Sequence, residues 1–292
     1  MNWNWRLWSY TLNCMTLGGL FVPLITPFGA DGGVALDALE ALAREMLDEG
    51  ATGLVALGTT GEPQALSGDE RQAVVDVIGR VCAERGAPLI VGAGRYHSAA
   101  VAALHVVPPF VRPGEDGVVA WFERVARESP VPVVIYHIPY RTGQLLSDEA
   151  LRRLAALPGV AGVKYAVGGI DAGTVALLAD PPTDFVVLGG DDVFVAPLLA
   201  LGAHGGILAS AHVATAAWAA LMDDRREWGR LAMLGAALFA EPNPTVIKAV
   251  LHAQGRIPTP DVRLPLVPAS AAARDRAVRA ARSVPRPARL PR

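Results

Sequence analysis

Short apolar runs alternate with amphipathic segments along the first two thirds of the chain. Eight runs rich in Val, Leu and Ile have the length and composition of β-strands: residues 20–26, 53–57, 88–92, 104–107, 131–136, 160–164, 184–188 and 205–208. Segments with apolar residues at helical spacing lie between them: residues 36–49, 67–85, 115–128, 147–157, 171–178 and 193–201. Strands that are apolar on both faces are typical of parallel sheets covered by helices. The pattern therefore predicts an α/β protein with a (β/α)8 TIM barrel, and a doubly wound open sheet is the alternative.

One predicted connection is too short for this pattern. Gly94 follows the third predicted strand and Val106 lies in the fourth, and only residues 95–105 lie between them. A parallel connection usually needs about a dozen residues or more. Residues 98–104 have room for about two helical turns, or roughly 10 Å, whereas a typical strand is about 17 Å long. The sequence therefore predicts either a shortened helix or an irregular connection here.

Beyond the eighth predicted strand, helical segments follow one another without strands between them. Residues 215–239 and 244–254 have helical spacing, and a proline-rich stretch leads to an Ala/Arg-rich segment at 269–282. We therefore expect extra C-terminal helices after the barrel. The expected parts are an N-terminal extension (1–16), the barrel (17–210), C-terminal helices (211–282) and a disordered tail (283–292).

Composition narrows the class of protein. The 292 residues are 52% hydrophobic and 18% charged, with a net charge of −2, which is typical of a soluble domain with a large core. No basic stripe predicts nucleic-acid binding, and the apolar runs are too short and interrupted to span a membrane. The N-terminus lacks the apolar stretch of a secretory signal. Two cysteines allow neither a disulfide framework nor a zinc site, and the six histidines have no metal-ligand spacing. We expect a cytoplasmic protein without metal or cofactor.

Polar and glycine-rich segments follow four of the predicted strands. They are Gly58-Thr59-Thr60-Gly61-Glu62, the segment from Tyr136 to Gly143, Lys164 itself, and Gly189-Gly190-Asp191-Asp192. Because active sites of these barrels lie at the carboxyl ends of the strands, we expect these groups to meet on one rim.

Lys164 is the strongest candidate for chemistry. The chain has two lysines among many arginines, and arginine cannot act as an amine nucleophile. At the end of an apolar strand, loss of water lowers the pKa of an amine and populates the neutral form that attacks carbonyl groups. The alternative is a lysine that extends to solvent at the rim.

Four further side chains could assist such an amine. The Tyr136 phenol can transfer a proton. Thr59 and Thr60 lie in a glycine-flanked turn whose hydroxyl and N–H groups suit a carboxylate. Arg141 can hold a carboxylate through two hydrogen bonds. Taken one at a time, Tyr136 also fits an aromatic core position, the threonines fit an ordinary turn, and Arg141 fits a surface charge.

The spacing of these groups resembles the dihydrodipicolinate synthase/N-acetylneuraminate lyase family. The matching motifs are the turn at 58–62, Tyr136-x-x-Pro139-x-Arg141-Thr142-Gly143, Gly162-Val163-Lys164, Gly190-Asp191-Asp192, Gly202-x-His204-Gly205-x-Ile207 and Asn243-Pro244-x-x-x-Lys248. The resemblance covers residues 17–268 and is closest to the 4-hydroxy-tetrahydrodipicolinate synthase branch, because sialic-acid lyases and sugar-acid dehydratases usually differ at Arg141.

The resemblance implies a role for each candidate residue. Lys164 is expected to form a Schiff base with a 2-keto acid, with Tyr136 relaying protons and Thr59 as its hydroxyl partner. The remaining residues are expected to bind substrate: Thr60 the pyruvate carboxylate, Gly190 and Ile207 the keto acid, and Arg141 the carboxylate of the second substrate.

The implied activity is condensation of pyruvate with an aldehyde such as aspartate semialdehyde, by a homo-oligomer, either a dimer or a tetramer. Two alternatives remain: a 2-keto-3-deoxy sugar-acid aldolase, and a barrel that binds keto acids with little turnover. The expected partners are therefore small molecules, a 2-keto acid and an aldehyde.

Three features depart from the family pattern. Phe110 stands where the synthases place a tyrosine that completes the proton relay from a neighbouring subunit, and His137 replaces an asparagine after Tyr136. The short connection lies just upstream of Phe110. We expect these departures to slow the synthase reaction without preventing Schiff-base formation.

Overall fold

Eight parallel strands close into a barrel in the computed structural model, which describes residues 17–92, 97–226 and 228–285. Each strand pairs with the next, and the eighth pairs with the first. The strands are β1 (Gly19–Pro23), β2 (Gly53–Ala56), β3 (Leu89–Val91), β4 (Ala100–Val106), β5 (Val133–His137), β6 (Val160–Tyr165), β7 (Val186–Gly189) and β8 (Gly205–Ile207). The prediction of a (β/α)8 barrel is confirmed. The expected extension at 1–16 and residues 286–292 of the expected tail lie outside the described residues.

Helices cover the outside of the barrel and continue beyond it. Those within the barrel repeat are α1 (Leu36–Asp48), α2 (Gly68–Arg85), α3 (Gly114–Glu128), α4 (Pro139–Thr142), α5 (Asp148–Ala155), α6 (Ala172–Ala179) and α7 (Val195–Ala200). Those after β8 are α8 (Ala211–Leu221), α9 (Trp228–Leu238), α10 (Thr245–Ala253) and α11 (Ala271–Ser283). None of the described helices is long and apolar enough to cross a membrane.

The prediction of one helix over residues 215–239 is wrong, because α8 and α9 are separate. Asp224 lies between them, and its side chain accepts a hydrogen bond from the Arg226 backbone N–H at 3.1 Å. Such a local side-chain bond competes with helical backbone bonds and favours a turn.

The connection between β3 and β4 contains strand where a short helix was considered. β4 begins at Ala100 and pairs with β3 through a shift in register, so residues 100–104 form strand where a shortened helix was one of two predictions. Among the described residues of the connection, His97 packs on α2. Its imidazole lies so close to Gly79 that a Cβ there would be 3.1 Å from Cε1, and Nε2 is 3.4 Å from Asp76. This contact replaces part of the cover that a helix would give.

Apolar side chains fill the barrel and form two clusters outside it. The interior cluster includes Phe21, Val55, Ile90 and Leu188, all nearly free of solvent contact. One outer cluster joins β1–β3 to α1, α2 and the C-terminal helices, and the other joins β5–β7 to α3, α5, α6 and α7. Burial of each large side chain contributes about 1.5–3 kcal/mol. The packed interior leaves the carboxyl ends of the strands as the place for a cavity.

A buried ion pair connects α10 to the turn after β2. Lys248 Nζ lies 2.5 Å from Glu62 Oε1, and both side chains are fully buried. The same amine donates to the Asp261 carbonyl at 2.8 Å and lies 4.0 Å from the Phe28 ring centroid. The backbone N–H of Arg263 donates to Glu62 Oε2 at 2.9 Å. These contacts fix the turn that carries Thr59 and Thr60.

We expect Lys248→Met to lower the free energy of unfolding by about 3–5 kcal/mol, because it leaves the Glu62 carboxylate buried without a counter-ion. Chemical denaturation measures the change. Arg124→Ala, which removes one partner of the exposed Arg124–Glu128 pair, is the control and should cost at most about 1 kcal/mol. Equal, small losses for both variants would contradict the assigned role of Lys248.

Candidate active site

The seven residues predicted from the sequence meet in one inner cavity at the carboxyl end of the barrel. Tyr136, Lys164 and Ile207 lie on β5, β6 and β8. Thr59 and Thr60 lie in the turn after β2, Arg141 lies on α4, and Gly190 directly follows β7. Tyr136 and Lys164 are register partners on β5 and β6, which places their side chains side by side. Five further residues to which the sequence analysis assigned no role line the wall: Tyr140, Asp192, Ala209, Phe239 and Asn243.

Lys164 is a buried amine without a bound counter-ion. Its side chain is 7% exposed, and Nζ lies 4.2 Å from the Tyr136 ring centroid. Among the described residues, it has no ion-pair partner within 4 Å. Burial lowers the pKa of Lys164 to about 8, and the negative charges of Asp192 and Asp191 act in the opposite direction. A substantial fraction of the amine is therefore neutral near pH 8.

Tyr136 presents its phenol to the same cavity. Burial raises the pKa of Tyr136 well above its usual range, and the neighbouring Thr59 side chain has a smaller, opposite effect. The phenol is therefore neutral at physiological pH, and it can donate a proton but is a weak base.

The threonine turn is held by a residue from the other end of the chain. Thr59–Gly61 forms a single 3-10 turn that Glu62 ends in the left-handed region, with φ of 54°. Asn243, just before α10, donates from Nδ2 to Thr60 Oγ1 at 2.9 Å. Since the Thr60 oxygen already accepts this bond, its hydroxyl proton remains available to a carboxylate. The Asn243-Pro244 motif was the available sequence signal for this contact.

The inner cavity adjoins a larger cleft of about 470 Å³. The two share five wall residues: Tyr140, Arg141, Asp192, Phe239 and Asn243. Arg141 lies on α4, a single turn that begins at Pro139 and ends at Gly143 in the left-handed region. Its guanidinium is exposed and lies 5.8 Å from the Tyr140 ring centroid. The arrangement places a cation in the entrance to a small cavity that holds an amine.

Asp192 is a buried carboxylate of the inner cavity, with 3% exposure. Its Oδ1 accepts hydrogen bonds from the backbone N–H of Ser210 at 2.7 Å and from the Ser210 hydroxyl. Burial raises the pKa of Asp192 to about 6. Its neighbour Asp191 is half-buried and accepts from the Gly168 N–H at 2.7 Å. The consecutive acidic residues after β7 were the signal in the sequence.

Two of the departures from the family pattern lie outside the cavity wall. Phe110 is 89% exposed and has a φ of 69°. His137 is fully buried with its ring centroid 5.9 Å from that of Tyr165, and burial lowers the pKa of His137 to about 4. In the single chain, neither Phe110 nor His137 lines the inner cavity.

No group of three His, Cys, Asp or Glu side chains among the described residues has the arrangement of a metal site. The polar groups of the cavity are instead an amine, two phenols, two hydroxyls, an amide, a guanidinium and a carboxylate. This set suits carbonyl chemistry with an anionic substrate.

A family model described as the dihydrodipicolinate synthetase family matches residues 16–283. The chain belongs to this family. It is therefore an enzyme of the class I lyase and synthase type, and the resemblance inferred from the motifs is confirmed.

Curated relatives cover most of the chain. The 4-hydroxy-tetrahydrodipicolinate synthase 2 of Clostridium acetobutylicum is 35% identical over 280 residues, 88% of this chain and 96% of the relative. The 4-hydroxy-tetrahydrodipicolinate synthase of Neisseria meningitidis serogroup B is 35% identical over 274 residues, 86% of this chain and 93% of the relative. Family membership therefore extends over the barrel and the C-terminal helices.

Solved structures of the family share the fold. The chloride-inhibited dihydrodipicolinate synthase of Acinetobacter baumannii in complex with pyruvate has a TM-score of 0.83 and 32% identity, over 91% of this chain and 98% of that chain. The enzyme of Thermotoga maritima has a TM-score of 0.84 and 29% identity over the same shares.

Proposed function

We propose that this protein forms a Schiff base between Lys164 and pyruvate and adds the resulting enamine to an aldehyde that carries a carboxylate, such as aspartate semialdehyde. The observation that carries the proposal is the buried Lys164 amine, with its pKa lowered to about 8, in a cavity that also holds the Tyr136 phenol and the hydroxyls of Thr59 and Thr60. The names of the curated relatives and the pyruvate complex of the Acinetobacter baumannii relative support the same activity.

The first half of the reaction uses the inner cavity. The Thr60 hydroxyl binds the pyruvate carboxylate, and Gly190 and Ile207 line the keto-acid site. The neutral Lys164 amine attacks C2, so that the C–N bond forms and the carbonyl π electrons move to oxygen. Tyr136, with Thr59 as its hydroxyl partner, relays the proton from nitrogen to that oxygen. A second proton, taken up from solvent through Tyr136, protonates the carbinolamine hydroxyl, which leaves as water. The nitrogen keeps its remaining proton, so a protonated imine stays on Lys164.

The second half uses the outer cleft. Its volume of about 470 Å³ accommodates a small aldehyde beside the imine. The exposed Arg141 guanidinium at its edge favours an aldehyde with a carboxylate over the uncharged aldehyde of a sugar-acid aldolase. This charge is the reason to prefer the synthase activity to the aldolase alternative.

Association of two or more copies is part of the proposal. Exposed apolar side chains lie on and beside α4, since the Phe110 N–H donates to the Thr142 carbonyl at 3.2 Å. They are Phe110, Val111, Tyr140 and Leu145, all more than half exposed. Such a patch is typical of a protein interface. One structural relative is described as a monomeric dihydrodipicolinate synthase variant, so family membership alone does not fix the assembly. A cytoplasmic location stays a prediction.

Reduction with borohydride in the presence of pyruvate should attach one pyruvyl-sized group to Lys164, because reduction makes the imine permanent. Peptide mass spectrometry locates the adduct, and Lys164→Ala should abolish it. Lys248 is the internal comparison, since its pKa is also lowered to about 8 while its amine is fully buried and paired with Glu62. An adduct on Lys248, or none on the wild type, would refute the proposal.

Phe110→Tyr should raise kcat for pyruvate and aspartate semialdehyde, because it supplies the hydroxyl that the proposed relay lacks. A positioned proton-transfer group is worth about 10²–10⁴ in rate, which bounds the gain. Steady-state kinetics measure the effect, and Val111→Tyr, a phenol at the neighbouring exposed position, is the control. A wild-type kcat already on the order of 10 s⁻¹ would show that the relay is complete without Phe110.

A further inference from the structure

The proposed function requires a base that the residues assigned above do not supply. Once pyruvate is joined to Lys164 as a protonated imine, a proton must leave its methyl carbon, C3, to give the nucleophilic enamine. This inference rests on the proposed function and concerns that step alone.

Most side chains around the inner cavity are unsuited to removing a carbon-bound proton. Threonine hydroxyls, the Asn243 amide and the Arg141 guanidinium are not bases at neutral pH. Lys164 is consumed in the imine. The Tyr136 phenol has a raised pKa and remains protonated. Among the described residues of the wall, Asp192 is the one carboxylate.

The two oxygens of Asp192 have different surroundings. Oδ1 accepts both hydrogen bonds from Ser210, whereas Oδ2 is buried and has no hydrogen-bond partner among the described residues. The side chain is also fixed from behind by α9, because a Cβ on Gly235 would lie 3.0 Å from Asp192 Cβ. A buried acceptor without a donor is costly, so it marks a place where a proton is expected to arrive.

We propose that Asp192 Oδ2 removes the C3 proton of the pyruvate imine on Lys164. The C3–H electron pair forms the C2–C3 double bond, and the imine π electrons move to nitrogen. The carboxylate becomes a carboxylic acid and the protonated imine becomes a neutral enamine. A cation and an anion are thus converted into two neutral groups, a change that a cavity poor in water favours over bulk solvent.

The pKa of Asp192 suits this proton transfer. Burial raises the pKa of Asp192 to about 6, while the Ser210 hydrogen bonds and the positive charge of Lys164 act in the opposite direction. The carboxylate is therefore ionised at neutral pH and yet basic enough to accept a proton. General bases are most effective when their pKa is near the working pH.

Exchange of the C3 protons of pyruvate for deuterium, followed by proton NMR in D₂O without any aldehyde, reports this step alone. We expect Asp192→Asn to lower the exchange rate by at least about 10²-fold, while borohydride still traps pyruvate on Lys164. The amide keeps an oxygen that can accept from Ser210, so the Lys164 site stays intact. Asp223→Asn, which changes an exposed carboxylate that lines neither the inner cavity nor the outer cleft, should exchange at close to the wild-type rate.

Ser210→Ala gives a second test that leaves the carboxylate in place. Loss of the serine hydroxyl removes a hydrogen bond that lowers the pKa of Asp192. The pKa of Asp192 is then higher, so its carboxylate becomes protonated at a higher pH. As the pH is lowered, the rate of deuterium exchange should therefore begin to fall at a higher pH in Ser210→Ala than in the wild type. If Asp192 had only a structural role, the pH at which exchange falls on the acidic side of the profile would not change.

The outcomes separate this inference from the proposed function. Two results would overturn the role of Asp192. One is an exchange rate in Asp192→Asn equal to that of the wild type. The other is an exchange rate in Ser210→Ala that falls at the same acidic pH as in the wild type. A wild type that traps no pyruvate overturns the proposed function itself. If Asp192→Asn does not fold, the pH profile of Ser210→Ala decides.

Discussion

Removal of water from the Lys164 amine is the constraint on which the site depends. Eight strands must close, with β8 paired to β1, before the end of β6 is surrounded by protein on every side. Phe21, Val55 and Leu188 fill the interior below, so the Lys164 side chain is only 7% exposed. No carboxylate of the described residues forms an ion pair with its amine. Its lowered pKa, and with it the neutral amine, follows from barrel closure.

The two lysines of the chain show that burial alone does not make a nucleophile. Lys248 is more deeply buried than Lys164, and burial lowers the pKa of both to about 8. Lys248, however, contacts Glu62 and donates to the Asp261 carbonyl, so its amine stabilises the joint between α10 and the threonine turn. Lys164 faces a cavity without such partners. The difference lies in tertiary contacts from distant parts of the chain.

The sequence was sufficient to predict the barrel and the seven grouped residues, because strand ends and short motifs are local patterns. It was insufficient where function depends on distant contacts. Asp192 acquires its role from Ser210 and from burial, and Asn243 reaches Thr60 across 183 positions. The alanine-rich residues 98–104 left helix and irregular connection open, since pairing with β3 overrides their local preference.

Titration of the two lysines by carbon NMR, after labelling with [6-¹³C]lysine, tests the central claim most directly. The chain has only Lys164 and Lys248, so Lys164→Ala assigns both signals. We expect the Lys164 signal to titrate with a midpoint near 8 and to shift when pyruvate is added, while the Lys248 signal does not respond to pyruvate. A Lys164 midpoint near the ordinary value of 10.5, or a pyruvate response at Lys248 alone, would contradict the account.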